Sequence, residues 1–431
     1  MTSCSAGDWT SRRRIDFDVP VTMPPNPQRD LRRPVGHRAR PPRWRGVPLL
    51  GVVAVLTLGL GLGIVGLAGR APDGAPAGRE INPGPAPAPV PTETPRCTPE
   101  GAIAALPLRE RLGQLLMVGV DASGPDEALA VLADDQVGGI FLGGSATGLL
   151  TDGALAQVQA ASTIPLAVAV DDEGGRVQRI DALDGELPSA REMAADRTLL
   201  QVYELARRRG EALRARGVTI DLAPSVDVSD QPDDAVIGDR SFSSDPALTT
   251  QYADAFAQGL RDADVLPVLK HFPGHGRAAG DSHAGAVRTP PLEQLQGVDL
   301  VPYRQLISRG AEAVMMGHLD VPGLTEPGTP ASISPAALAL LRDDLGFDGL
   351  VMSDDLGAMR AITDRIDLPE AVRASLAAGV DMALWVTGDR VGEVLDHLQA
   401  AVAAGSLPEQ GVNEAVGRVL TAKDVDPCAL P

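Results

Sequence analysis

Leu266-Pro-Val-Leu-Lys270-His271-Phe-Pro-Gly-His275-Gly276 passes within eleven residues from an apolar run to a cluster of titratable side chains broken by proline and glycine. The run has the length of a buried strand, and Pro273 with Gly274 marks its end. The same texture recurs along the chain. Short apolar runs at 115–120, 137–142, 166–170, 218–223, 266–270, 313–317, 349–353 and 381–386 each read as a strand. Segments 199–216, 249–262 and 368–378 carry apolar residues at helical spacing, as do 391–403 and 412–422 after the eighth run. Strands alternating with helices in this number predict an α/β fold, a (β/α)8 TIM-type barrel forming a single catalytic domain. A doubly wound open sheet is the alternative, but no Gly-x-Gly-x-x-Gly turn follows an early strand. Polar motifs come directly after the strand ends: Asp171-Asp-Glu-Gly-Gly-Arg176, 221–227, 270–276, 318–320 and Asp354-Asp355. In a parallel barrel those ends share one rim, which is where active sites lie.

The 431 residues carry a net charge of -19, which excludes a nucleic-acid partner, since that needs a basic surface. Charge is divided unevenly. Residues 1–46 hold ten arginines against four aspartates, so the remainder carries about -25. This first segment lacks apolar periodicity and reads as a disordered cytoplasmic tail. Residues 47–69 contain no charge and are long enough to cross a hydrocarbon core of about 30 Å. The preceding arginines place the N-terminus inside and the rest of the chain outside, so the expected protein is a single-pass membrane protein with an extracellular catalytic domain. A cleaved signal followed by secretion is the alternative. Residues 70–96, rich in Pro, Ala and Gly, read as an extended stalk reaching roughly 80 Å, and 97–431 as the catalytic domain. Of three cysteines, Cys4 falls in the tail, whereas Cys97 and Cys428 bracket the catalytic domain and face an oxidising space, where a disulfide is expected. The expected state is a monomer.

Three of the six histidines, His271, His275 and His283, lie close together, and Asp281 stands two residues before the last. A His-x-x-x-His pair could bind metal from one helix face, but Pro273, Gly274 and Gly276 oppose a helix, so no metal site is expected. His271 also suits a hydrogen-bonded barrel position. Residues 274–285, with repeated glycines, read as a long mobile loop in which Asp281 can hold the His283 imidazole in one tautomer and raise its basicity. An ordinary turn is the bland reading of that Asp-x-His. Asp354 and Asp355 supply a distant carboxylate at a strand end, and the apolar residues 350–352 give no face by which to separate them.

KHFPGHG followed by DSH and SDDL, with DDEGGRVQR and IGDRSF earlier, resembles glycoside hydrolase family 3, and within it the single-domain β-N-acetylglucosaminidases of the NagZ type. The likeness runs from about 103 to 422. It implies Asp354 as nucleophile, His283 as acid/base with Asp281 as its partner, and Asp171, Arg179, Arg240, Lys270 and His271 as sugar-hydroxyl and acetamido ligands. It also implies a retaining exo-β-N-acetylglucosaminidase acting through a covalent glycosyl-enzyme on N-acetylglucosamine-containing glycans or muropeptides, with no metal or organic cofactor. The family's DQEGG reads DDEGG through Asp172, its SDDLSM reads SDDLGAM through Gly357, and 142–147 lacks a frequent asparagine; these departures are expected to alter the rim. An N-acetylglucosaminide phosphorylase or a β-glucosidase could share the motifs. A non-catalytic wall-binding module is disfavoured by Asp281, His283 and Asp354 occurring together.

Overall fold

The computed structural model describes residues 97–430. The tail, apolar run and stalk expected over 1–96 lie outside the described residues. Among the described residues there are eleven strands: β1 Leu116–Val120, β2 Gly139–Leu142, β3 Ala167–Val170, β4 Ile220–Asp221, β5 Leu266–Pro267, β6 Leu269–Phe272, β7 Val287–Arg288, β8 Ala313–Met316, β9 Leu319–Asp320, β10 Leu350–Ser353 and β11 Ala383–Trp385. One parallel ladder runs β11-β1-β2-β3-β4-β5 and another β10-β8-β6. Parallel bridges Ser225–Lys270 and Met352–Met382 join the two. This is an α/β fold with a parallel sheet, and its strand order follows that expected of a (β/α)8 barrel. Strands β1, β2, β3, β8 and β10 are buried throughout, because helices cover one side and barrel side chains the other.

All eight expected runs form strands, but three are shorter or broken. The run at 218–223 shrinks to β4, since Pro224 has no N–H to extend a ladder. The run at 266–270 divides into β5 and β6, where Val268 N–H serves both Asp221 O and Ala223 O at 3.0 Å. The eighth starts at Ala383 rather than Asp381, because the Asp381 carboxylate lies across the strand start. It accepts from Val351 N at 2.8 Å, Arg342 Nη2 at 2.6 Å and Arg418 Nε at 2.7 Å. The pair β7–β9 was not expected from the alternation and stands beside the barrel, following the His283 loop.

Helices Leu199–Ala215 and Pro246–Arg261 pack closely because Gly259 presents no side chain; a Cβ there would lie 2.5 Å from Tyr203 O. Helix Pro99–Ala105, capped by Thr98, is tied to the C-terminal end of the chain by a Cys97–Cys428 disulfide with Cα atoms 5.9 Å apart. No helix among the described residues is long and apolar enough to cross a membrane.

Candidate active site

The C-terminal ends of the strands surround a cavity of about 760 Å³ lined by Asp171, Arg179, Arg240, Lys270, His271, His283 and Asp354. Every cavity-lining residue expected from the sequence therefore arrives in one place from separated segments. Asp281 lies behind the lining, in contact with His283. A depression of about 890 Å³ at the opposite strand ends includes Leu166, Thr219, Leu266 and Glu312. It is the larger of the two, but it lacks a comparable convergence of carboxylates and imidazoles.

One wall is an alternating charge network. Lys270 Nζ bonds Asp171 and lies 2.6 Å from Glu173 Oε1. Arg240 grips Glu173 with both Nε and Nη2, at 2.8 and 2.6 Å, and Arg179 stands 3.7 Å from Asp171. Burial would raise the Glu173 pKa, yet Arg240 and Lys270 hold it well below the usual carboxylate range. Burial likewise works against the Lys270 ammonium, but Asp171 and Glu173 keep its pKa raised. Both groups are thus fixed in their charged forms.

A second group is organised by buried Asp227. One carboxylate oxygen accepts from His271 Nδ1 at 2.7 Å and the other from the His275 backbone N–H at 2.6 Å. Donation from Nδ1 leaves His271 Nε2 as an acceptor, 3.5 Å from Arg240 Nη2. Buried His318 donates from Nε2 to Asp355 O at 2.8 Å, while its Nδ1 faces Ser332 Oγ at 2.7 Å. Burial lowers the His318 pKa and favours that neutral arrangement.

Asp354 and Asp355, inseparable by local pattern, differ in space. Asp355 is fastened to the backbone, accepting from Gly357, Ala358 and Val386 N–H groups at 2.9, 3.2 and 3.3 Å. Asp354 accepts only the Asp355 N–H, at 2.9 Å, and lines the cavity although it is largely buried. Burial pushes its pKa up, but His271, His318, that N–H and Lys270 together leave it lowered, so the carboxylate is ionised. Burial raises the Asp355 pKa.

His283 Nδ1 meets Asp281 Oδ1 at 2.9 Å, and the same oxygen accepts the His283 backbone N–H. The His283 side chain is 64% exposed. Partial burial raises the Asp281 pKa, but the bonds to His283 outweigh it and lower the value. The loop is less free than its glycines suggest. Ala279 and Arg288 exchange two backbone bonds at its base, Arg277 pairs with Asp299 at 2.5 Å, and Ser282 O receives Ala361 N–H at 3.0 Å. Among the described residues no three His, Cys, Asp or Glu groups converge so as to hold a metal ion.

Glu173, Asp227 and His318 belong to this site without having been singled out, and His275 was weighed only as half of a metal-binding pair. Each lies inside a polar segment noted at a strand end, but only the pairing across strands gives each its part.

Residues 107–422 match the family described as "Glycosyl hydrolase family 3 N terminal domain". The beta-hexosaminidase LpqI of Mycobacterium tuberculosis is 56% identical over 337 residues, which is 76% of this chain and 86% of that protein. A solved glycosyl hydrolase of the GH3 family from Mycobacterium smegmatis superposes with a TM-score of 0.72 at 53% identity, covering 74% of this chain and 98% of the other. A solved beta-N-acetylhexosaminidase from Beutenbergia cavernae gives a TM-score of 0.68 at 30% identity over 75% of this chain and all of its own.

Proposed function

The chain belongs to glycosyl hydrolase family 3, and from that premise we propose that it removes terminal N-acetylglucosamine from glycans by a retaining, two-step mechanism. It is a β-hexosaminidase that acts on N-acetylglucosamine-containing substrates. Asp354, ionised and free of backbone bonds other than one, attacks the anomeric carbon. The bond from that carbon to the departing oxygen breaks, and His283 gives its Nε2 proton to that oxygen. Water then attacks the glycosyl-Asp354 ester, returning a proton to His283 and restoring the carboxylate. Asp281 on Nδ1 stabilises the imidazolium that begins the first step and is re-formed in the second, and fixes the tautomer of the neutral imidazole between them. Lys270, Arg240, Arg179, Asp171 and His271 supply directional bonds to the sugar hydroxyls and acetamido group, their charges held by mutual pairing rather than by solvent.

The contrast between Asp354 and Asp355 carries this reading: of two adjacent carboxylates, one is consumed by three backbone donors and the other is left for chemistry. Water rather than phosphate is the acceptor favoured by the wall, because Lys270, Arg240 and Arg179 each already face a carboxylate. A chromogenic N-acetylglucosaminide and the matching glucoside, each with and without phosphate, test both points. Hydrolysis of the first alone, unaffected by phosphate, is expected. Sugar-1-phosphate would make the enzyme a phosphorylase, and equal turnover of the glucoside would remove the acetamido preference.

The same reading places the domain outside the cell, tethered through 47–69, where peptidoglycan-derived fragments are the available substrates. The Cys97–Cys428 bridge supports an oxidising compartment. Protease added to wall-loosened cells should cut between 71 and 96 and release active enzyme. A soluble mature protein beginning near 71–78 would mean secretion after cleavage instead.

A further inference from the structure

Asp172 stands where the family motif quoted above has glutamine, and it was expected to alter the rim. It does not reach the rim. Asp172 and Asp221, from adjacent strand ends, are both fully buried. Asp221 Oδ1 accepts the Asp172 N–H at 3.0 Å, carrying the β3–β4 pairing one step beyond the Val170–Asp221 register. Asp172 Oδ1 reaches across its own loop to accept the Arg179 N–H at 2.7 Å. Its other oxygen lies 3.4 Å from Nε of Arg209, a buried arginine on helix Leu199–Ala215. Arg209 Nη2 in turn donates to Gly185 O at 2.6 Å, near the far end of the same loop. Gln178 stitches the interior, donating to Gly175 O at 2.6 Å and accepting from Leu187 N at 2.7 Å.

We propose that Asp172, Arg209 and Asp221 form a buried positioning assembly that fixes loop 171–187 and thereby holds Asp171 and Arg179 against the sugar. None of the three touches the cavity; each acts through backbone. Such a frame matters because Asp171 and Arg179 lie on a loop rather than a strand: Lys270 holds the Asp171 carboxylate, but the 3.7 Å pair with Asp171 is too loose to place Arg179. A buried carboxylate between a backbone donor and a buried guanidinium has one stable place. Burial and the neighbouring Asp172 raise the Asp221 pKa well above the usual range, and burial raises that of Asp172 against the opposing effect of Arg209.

The inference rests on Asp171 and Arg179 being sugar ligands, and the experiment separates the two claims. Asp172→Ala, Asp172→Asn, Arg209→Met, Asp171→Ala and Arg179→Ala would each be made in the full-length enzyme and assayed well below their melting temperatures. The readouts are KM, kcat and the inhibition constant of free N-acetylglucosamine. Asp172→Ala should raise KM and the inhibition constant together by roughly tenfold or more, with a smaller fall in kcat, since a displacement of about 1 Å suffices for such losses. Asp172→Asn keeps an acceptor for Arg179 N–H and should recover most of the affinity, while still melting lower because Arg209 loses its counter-charge. Should the alanine variant not fold, Arg209→Met, which frees Gly185, should weaken sugar affinity more than Asp172→Asn does. Lower melting temperatures with unchanged KM and inhibition constants in Asp172→Ala, or in Arg209→Met where the alanine variant does not fold, would overturn the proposal. Unchanged sugar affinity in Asp171→Ala and Arg179→Ala would instead refute their role as ligands.

Discussion

Asp354 and Asp355 share a peptide bond yet have opposite tasks, and the difference lies in where backbone N–H groups point. Asp354→Ala should abolish turnover while leaving the melting temperature near that of the parent, because it removes one acceptor at a cavity wall. A mechanism-based fluoro-sugar should label the peptide at Asp354, and labelling at Asp355 would reverse the assignment. Asp354 is held below the ordinary carboxylate range, so its contribution to activity persists until the pH falls beneath that range. His283→Ala should slow substrates with poor leaving groups by about 10²–10⁴ and activated aryl glycosides much less, as only the former need a proton. Equal losses for the two classes would count against His283 as the acid. These positions were legible only through the motifs that carry the family resemblance, since local pattern left Asp281 and His283 open to an ordinary turn and Asp354 inseparable from Asp355. Glu173 and Asp227 were not, because their partners lie 67 and 44 residues away along the chain, at Arg240 and His271.

Among elements, β10 and β11 show how one buried side chain can join two staves. Asp381 replaces a strand residue with a carboxylate shared by Val351 N–H and two arginines. Burial raises its pKa against the effect of Arg342 and Arg418, so the charge itself is costly. Removing it is nonetheless expected to cost more than keeping it. Asp381→Ala should destabilise the domain by about 3 kcal/mol, the lower end for breaking a buried ion pair, since Arg342 and Arg418 keep some access to water. Denaturant unfolding measures this, and a change within about 0.5 kcal/mol, as for an ordinary surface site, would mean the two staves do not depend on the carboxylate. Strand positions were readable from apolar runs of the right length, whereas the shared Val268 N–H and the Asp381 carboxylate set where pairing could continue. Those effects act between neighbouring strands and so do not register in any one run.

At the scale of the molecule, the Cys97–Cys428 bridge fastens the first described helix to the last residues, closing a loop with a sequence separation of 331. Chain entropy for so long a loop suggests a stabilisation of about 6 kcal/mol as an upper bound. Cys97→Ser should therefore lower the melting temperature of protein purified with its disulfide formed and free helix Pro99–Ala105 to proteolysis, with activity below the transition preserved. Unaltered stability and cleavage would show that the barrel closes without its staple. The sequence by itself determined the alternation of strand and helix, the placing of polar motifs at strand ends, the family, and the cysteines available for bridging, because each is written in neighbouring residues or in a short motif. The tertiary structure alone decided which aspartate stays free, which carboxylates neutralise which cations, and that Asp172 lies beneath the rim rather than on it. Those outcomes depend on which backbone donors and counter-charges other strands bring within bonding distance, and a linear chain holds no record of that until it closes on itself.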